Sequence, residues 1–317
     1  MVQAAVVNAW GEAPKYQIID LPQPTETQVR IKVLAAGLPN LVRSRAAGQH
    51  FTTAGTSPPH VPGTDGVGTI SPSGELVYFN ALGAPTGSFA EEINVEKNNV
   101  FKLPKGADPD AIALLANGVM SSWMALTTRA EIEPGESRPF DVAILGATGV
   151  SGQAAVQIAK AMGAGKIVAI GKLGAKLEKT TELGATALIE LSENTDFTEA
   201  ADVDIVLDYL WGDVAKAVLP GIVAKRKNKS QRLTWVEIGA LGGDGVQIAG
   251  SLLRSANVAL LGCGPGSWTF PELHTQMPAM LVCMVDNKLE GEHMVVELAE
   301  VEQWWNETTG PRKLVKP

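Results

Sequence analysis

Cysteine is nearly absent from this 317-residue chain, which has only Cys263 and Cys283. Two thiols make neither a disulfide framework nor a four-thiolate zinc site. Histidine is almost as scarce at four and tyrosine at three, so few side chains can donate or accept a proton near neutrality. Basic charge is in deficit as well. Lys and Arg total 26 against 34 Asp and Glu, a net charge of −8 that disfavours nucleic acid or an anionic membrane surface as partner. The densest basic run, Lys225-Arg226-Lys227-Asn228-Lys229 with Arg232 close behind, falls at the N-terminal end of an expected strand at 233–239. Nucleotides bind at the opposite, carboxyl edge of such sheets, so the run reads as a solvated turn. No apolar run approaches the ~20 residues that cross a bilayer. No charged and then apolar leader precedes Val2. A cytoplasmic location without a membrane partner is expected.

What the chain does contain is an ordinary globular composition, 45% hydrophobic and 19% charged, with length enough for two domains. Its centre of organisation is Asp141-Val142-Ala143-Ile144-Leu145-Gly146-Ala147-Thr148-Gly149-Val150-Ser151-Gly152. An apolar strand enters a glycine-rich turn, and Val150, Ala154, Ala155, Ile158, Ala159 and Met162 then recur at helical spacing. A strand reversing into a helix gives a pyrophosphate close backbone approach, unpaired N–H groups and the positive end of the helix dipole. Gly146, Ala147, Thr148, Gly149, Val150 and Gly152 are therefore candidate cofactor contacts. Glycine at such a joint also serves purely steric needs. Strand, turn and helix appear here in the required order, which favours dinucleotide binding.

Before that centre the chain reads as short strands with Gly and Pro punctuation: 3–8, 15–20, 28–36, and a continuation from 59 to 77. After Pro109 an Ala-rich helix leads into alternating strands and helices. Strands are expected at 142–145, 166–170, 187–189, 205–209, 234–238 and 258–261, and helices at 150–162, 175–183, 213–219, 247–255 and 270–287. Six strands alternating with helices predict an α/β fold with a Rossmann-type, doubly wound parallel sheet, preceded by a β-rich domain. A strand-like segment at 313–315 closes the chain.

The order of motifs resembles the medium-chain dehydrogenase/reductase superfamily, and within it the zinc-free quinone oxidoreductase-like (enone reductase) branch. The resemblance rests on Ala35-Ala36-Gly37, Pro62-Gly63-Thr64-Asp65-Gly66-Val67-Gly68, Gly87-Ser88-Phe89-Ala90-Glu91 and the glycine turn. Further along it rests on Glu182-Leu183-Gly184-Ala185, Val206-Leu207-Asp208-Tyr209 and Leu252-Leu253-Arg254-Ser255. It implies a GroES-like substrate domain over 1–117, a Rossmann domain over 118–262, and a return segment over 263–317 that completes the first domain. By the same resemblance the protein is a homodimer pairing near 258–261. Zinc-dependent members place Cys after the Ala-Gly pair and Gly-His-Glu where this chain has Gly63-Thr64-Asp65. Here Leu38 and Pro39 follow Gly37, and His50 and His60 have no thiolate partner at ligand spacing. No metal is expected, and the two histidines read as solvated or core-bonded.

A dinucleotide turn for NAD carries an acid ~20 residues beyond the glycines. The second strand instead ends Ile170-Gly171-Lys172, with Lys176 following. The missing acid, with Lys172 and Lys176 as a 2′-phosphate clamp, predicts NADPH; the competing reading makes both lysines the solvated start of a helix. By the carboxyl-edge rule, Ile238, Gly239, Gly262 and Cys263 should flank the nicotinamide and its ribose. Tyr209 and Trp211 would cover the adenine half, unless Trp211 simply packs in its loop. For the chemistry, the resemblance puts an Asn shortly after Ala-Gly, and Asn40 is the nearest match. Tyr78, taken as the start of a loop, is the other candidate catalytic group, although a structural role suits it better. Phe51, Trp268 and Phe270 suit a small hydrophobic carbonyl or quinone, or a core. The expected activity is zinc-independent, NADPH-dependent hydride transfer to a quinone or an α,β-unsaturated carbonyl. The alternatives are an enoyl reductase acting on a carrier- or CoA-bound chain, and a non-catalytic NADPH sensor.

Overall fold

The computed structural model describes residues 1–135 and 139–317. The chain forms two compact units, one from Met1–Asn117 with Met277–Pro317 and one from Gly118–Gln276. Residues 263–276 lie in the second unit. The reason is local bonding. Residues 263–276 are tied to the second unit by Cys263 N–H on Glu237 O (2.7 Å), Arg129 Nη1 on Ser267 O (2.9 Å) and Trp123 Nε1 on Gln276 Oε1 (2.8 Å).

The first unit opens with β1 (Val2–Val6), β2 (Lys15–Ile19), β3 (Gln28–Gly37), α1 (Asn40–Ala46), β4 (Asp65–Ser71), β5 (Leu76–Asn80), β6 (Glu92–Glu96), β7 (Val100–Lys102) and the start of α2 (Pro109–Met124). β3 is its axis. Ile31 and Val33 point inward while Lys32 is exposed, the period-two pattern of a half-buried strand. Its early residues pair with β6 and its length pairs with β4. Ile31 and Val33 share a core with Val77, Phe79, Ile93 and Val95.

α2 continues as a π turn, Ala125–Arg129, closed by Ala130 N–H on Ala125 O. Together Pro109–Arg129 is long and apolar enough to cross a membrane, which corrects the expectation of no such stretch. It is a core helix, since 72% of its most apolar window is buried inside the protein.

The second unit holds β8 (Asp141–Leu145), α3 (Val150–Ala161), β9 (Lys166–Gly171), α4 (Ala175–Leu183), β10 (Ala187–Glu190), β11 (Ile205–Asp208), α5 (Gly212–Lys225), β12 (Leu233–Glu237), α6 (Gly250–Ser255), β13 (Val258–Gly262) and the start of α7 (Phe270–Asp286). All six strands are parallel, in the order β10-β9-β8-β11-β12-β13. The order reverses between β8 and β11, which puts the topological switch point beside the glycine turn. Val142–Leu145 are fully buried, as a strand covered on both faces requires. α5 runs past the expected stop at Leu219 despite Pro220, because Ile222 and Val223 pack into the core around Trp235. Tertiary burial outweighs the missing N–H at proline.

The chain then returns to the first unit with β14 (His293–Glu297), α8 (Val301–Trp304) and β15 (Arg312–Lys316). β15 pairs antiparallel with the end of β3, and β14 runs parallel to β15. Trp304 and Trp305 meet Phe89 edge-on at 6.4 and 6.5 Å, and this cluster with Val42, Leu298, Val301 and Val315 forms the unit's second core.

Candidate cofactor and substrate sites

In the second unit the glycine turn is anchored to its neighbouring strand. Gly146 and Ala147 N–H both donate to Ile170 O, at 2.9 and 3.1 Å. Gly146 has φ +92°, a left-handed conformation suited to glycine. Gly152 has no room for a side chain, since a Cβ there would lie 2.3 Å from Gly146 O. α3 can therefore start tight against the turn. Gly149 N-caps it and no side chain accepts from its first amides, while Thr148, Gly149 and Val150 are at least partly exposed. A twelve-residue helix with an open, uncapped N-terminus has amides free to meet an anion.

The end of β9 lies next to this turn. No acid stands at this strand end, and a Cβ at Gly171 would sit 2.7 Å from the Thr148 side-chain methyl, so β9 and the turn meet closely there. Lys172 and Lys176 are exposed, and neither forms an ion pair or hydrogen bond among the described residues.

The remaining carboxyl edge is held together by Asp208. Its buried carboxylate accepts from Leu210 N–H (2.8 Å), Trp211 N–H (2.9 Å) and Trp235 Nε1–H (3.0 Å). Its backbone oxygen accepts from Ile238 and Gly239 N–H. Burial raises the carboxyl pKa against the pull of those donors. One side chain thus fixes the ends of β11 and β12, a role that the motif Val206-Leu207-Asp208-Tyr209 does not disclose. Ile238 and Gly239 are half-exposed at this edge, and Gly262 is exposed.

Three expected contacts are largely enclosed by protein. The Tyr209 hydroxyl lies 3.3 Å from Ser121 Oγ in a buried setting. Trp211 packs on the core, as its alternative reading had it. Cys263 is buried with its thiol 3.7 Å from Ser121 O, and burial pushes its pKa up to about 12, so it offers no thiolate. Trp268 is buried and meets the half-exposed Phe270 edge-on at 6.4 Å.

In the first unit, Asn40 is exposed at the start of α1, behind Pro39. Tyr78 lies inside β5, so the loop starts after Asn80 and not at Tyr78. Its ring is fully buried and its hydroxyl donates to Asp65 Oδ2 at 3.2 Å, while Thr64 Oγ1–H donates to Oδ1 at 2.9 Å. Burial, and then the neighbouring carboxylate, raise the phenol pKa well above its ordinary value. A phenol so placed gives no proton to a substrate. The same contacts bear on metal binding. Both Asp65 oxygens are engaged, and Leu38 and Thr64 offer no thiolate or imidazole. Among the described residues no three of His, Cys, Asp or Glu converge as a metal site. The residues present do not fit a catalytic zinc.

Comparison with known proteins follows the same lines. Residues 151–219 match the family model described as zinc-binding dehydrogenase. The matched segment contains neither cysteine nor histidine, so it carries none of the usual zinc ligands besides carboxylates. The chain is 31% identical, over 100% of both sequences, to a probable NADPH-dependent quinone reductase of Emericella nidulans. It is 30% identical to the 2-methylene-furan-3-one reductase of Solanum lycopersicum, over 63% of this chain and 54% of that one. A mycobacterial quinone oxidoreductase superposes over 100% of both chains with a TM-score of 0.81 at 17% identity, which speaks to the fold.

Proposed function

Since the chain belongs to the medium-chain dehydrogenase/reductase superfamily, in its quinone oxidoreductase-like branch, we propose that this oxidoreductase is a zinc-independent, NADPH-dependent reductase of quinones or α,β-unsaturated carbonyls. The observation that carries the reading is the end of β9. Two unpaired lysines follow a strand end that carries no acid and that meets the turn before an uncapped helix start at Gly171 and Thr148. Bound there, the nicotinamide cofactor supplies the hydride. The protein's part is to seat the pyrophosphate on the α3 amides, to meet the 2′-phosphate with Lys172 and Lys176, and to offer the Ile238–Gly239 and Gly262 edge to the ribose and nicotinamide. Asn40 is the proposed polar contact for the acceptor oxygen, where a hydrogen bond would stabilise developing negative charge. With Tyr78 buried and Cys263 held as a thiol, solvent water is the proton source for the product.

The test is NADPH against NADH oxidation with 1,4-benzoquinone, a larger quinone and a simple enone, with and without chelator. Turnover that resists chelator and prefers NADPH is the expected result; loss of activity to chelator would overturn zinc independence. The double variant Lys172→Ala/Lys176→Ala should raise Kd for NADPH by roughly tenfold to a hundredfold, since charge-assisted phosphate contacts are worth ~1.5–3 kcal/mol, and should leave NADH within about twofold. Equal losses for both cofactors would remove the clamp. We also propose a homodimer in the cytoplasm, pairing near Val258–Leu261 at the edge strand β13. A monomeric mass by light scattering would reject the pairing.

A further inference from the structure

Three cations are buried among the described residues: Arg45 at 8% exposure, Arg226 at 4% and Lys313 at 4%. Two of them have acids at hand. Lys313 pairs with Glu307 at 2.9 Å, and Arg226 lies in the field of Asp202 and Asp204 while donating to three backbone carbonyls. Among the described residues no carboxylate bonds to Arg45. Its guanidinium donates to Thr52 Oγ1 and to Leu82 O, both uncharged. A buried cation without a counter-charge is costly and is retained where an anion completes it.

The surroundings are arranged as donors. Thr52 N–H donates to His50 Nδ1 at 3.3 Å, and the Thr52 hydroxyl lies 2.8 Å from the same nitrogen. Since Thr52 Oγ1 accepts from Arg45, its own proton goes to Nδ1. The His50 proton therefore sits on Nε2, which has no protein acceptor among the described residues. His60 stands against Trp10 at 5.5 Å, and its backbone is fixed to Val7 by a reciprocal pair of hydrogen bonds at 3.0 and 2.8 Å. Its Nε2 is buried with no partner among the described residues. Burial, and then the Arg45 charge, lower the pKa of both histidines, His60 to about 4, so both are neutral at pH 7. One fixed cation, two neutral imidazoles and no bonded acid leave a single positive charge without a counter-charge. His50, Thr52 and His60 are all partly exposed, and Phe51 beside them is 64% exposed.

We propose that Arg45, His50 and His60 form a subsite in the first unit for a carboxylate carried by the acceptor. This rests on the reading of the chain as a reductase of quinones or enones, which it narrows to acidic members of that class. The lysines at β9 are exposed and serve the cofactor's phosphate; Arg45 sits in the other unit, which makes two separate anion sites on one chain.

The experiment compares 2-methyl-1,4-naphthoquinone carrying a propanoate side chain with its methyl ester, two acceptors of equal electron demand and different charge. The wild-type KM for the acid should be roughly tenfold lower than for the ester, the worth of one charge-assisted contact. In Arg45→Met that ratio should fall to near one, and Arg45→Lys should restore part of it. Because Arg45 is buried, His50→Phe supplies a second variant outside the core, and its ratio should also shrink. Equal KM values for acid and ester in the wild type, or a ratio unchanged in the variants, would overturn the subsite. Independently of turnover, benzoate titrated into the wild-type protein should shift the imidazole NMR signals of His50 and His60. Turnover of neither quinone would reject the reductase reading, and the benzoate titration would then decide the subsite alone: shifted signals support it, unshifted signals reject it.

Discussion

Gly152→Ala should lower dinucleotide affinity by about a hundredfold, because a misplacement of ~1 Å at a positioning contact costs that much. The added methyl would lie 2.3 Å from Gly146 O and 2.7 Å from Ala147 Cα, both backbone atoms of the turn. No side chain can swing away to relieve the clash. Either α3 moves off the turn or the turn opens, and both displace the amides that seat a pyrophosphate. Overpacking of this kind also costs about 1–3 kcal/mol in stability. Two readouts separate the effects: Kd by calorimetry reports the seat, and the urea midpoint reports the packing. A variant that is destabilised but binds NADPH with wild-type affinity would mean that the cofactor does not sit on this turn. A variant unaffected in both would contradict the packing itself.

The glycine turn is legible in the sequence because its constraint is local. Strand, reversal and helix are adjacent along the chain, and hydrophobic spacing marks each. The six parallel strands are legible for the same reason, with boundaries displaced by no more than one residue. What the sequence hides depends on partners far along the chain. β14 is exposed along much of its length, and its residues show no buried alternation to betray a strand. Nothing in the sequence singles out Arg45; its role shows only when its burial and the absence of a bonded acid are seen together. Gly and Pro close behind Tyr78 suggest a loop there; its pairing with Phe101 and Val67 holds it in β5 instead. Asp208 carries a family motif, yet its three donors come from a turn and from Trp235 on the next strand. A pattern along the chain reports periodicity; it does not report which polar groups a fold will bring together.

Asp65 is another such group, and it carries the second large effect. Its carboxyl pKa is raised from 3.8 to about 6. Burial is the main cause, and it outweighs the hydrogen bonds from Thr64 and Tyr78 and the attraction of Arg312. A carboxyl with a raised folded-state pKa holds its proton more tightly when folded. Its contribution to stability is therefore complete below the unfolded value near 4 and is lost as pH rises through about 6. Each tenfold change in proton affinity is worth about 1.36 kcal/mol, so a rise of this size corresponds to about 3 kcal/mol. Other carboxylates titrate in the same range, so the effect is isolated as the stability difference between the wild type and Asp65→Asn. That difference should move by about 3 kcal/mol against the wild type between about pH 3 and about pH 7.5, measured by urea unfolding at each pH. Arg312, whose pKa is lowered only to about 10, stays charged throughout, and its attraction for the ionised Asp65 is already contained in the folded-state value of that carboxyl. Parallel pH profiles for the two proteins would show that Asp65 titrates normally. The predicted slope also bears on the chemistry. A metal ligand at this position must be ionised and open to the ion, whereas Asp65 resists ionisation and has both oxygens engaged by hydroxyl donors. Burial has turned the position of a ligand into part of a core, which is what the proposed zinc independence requires.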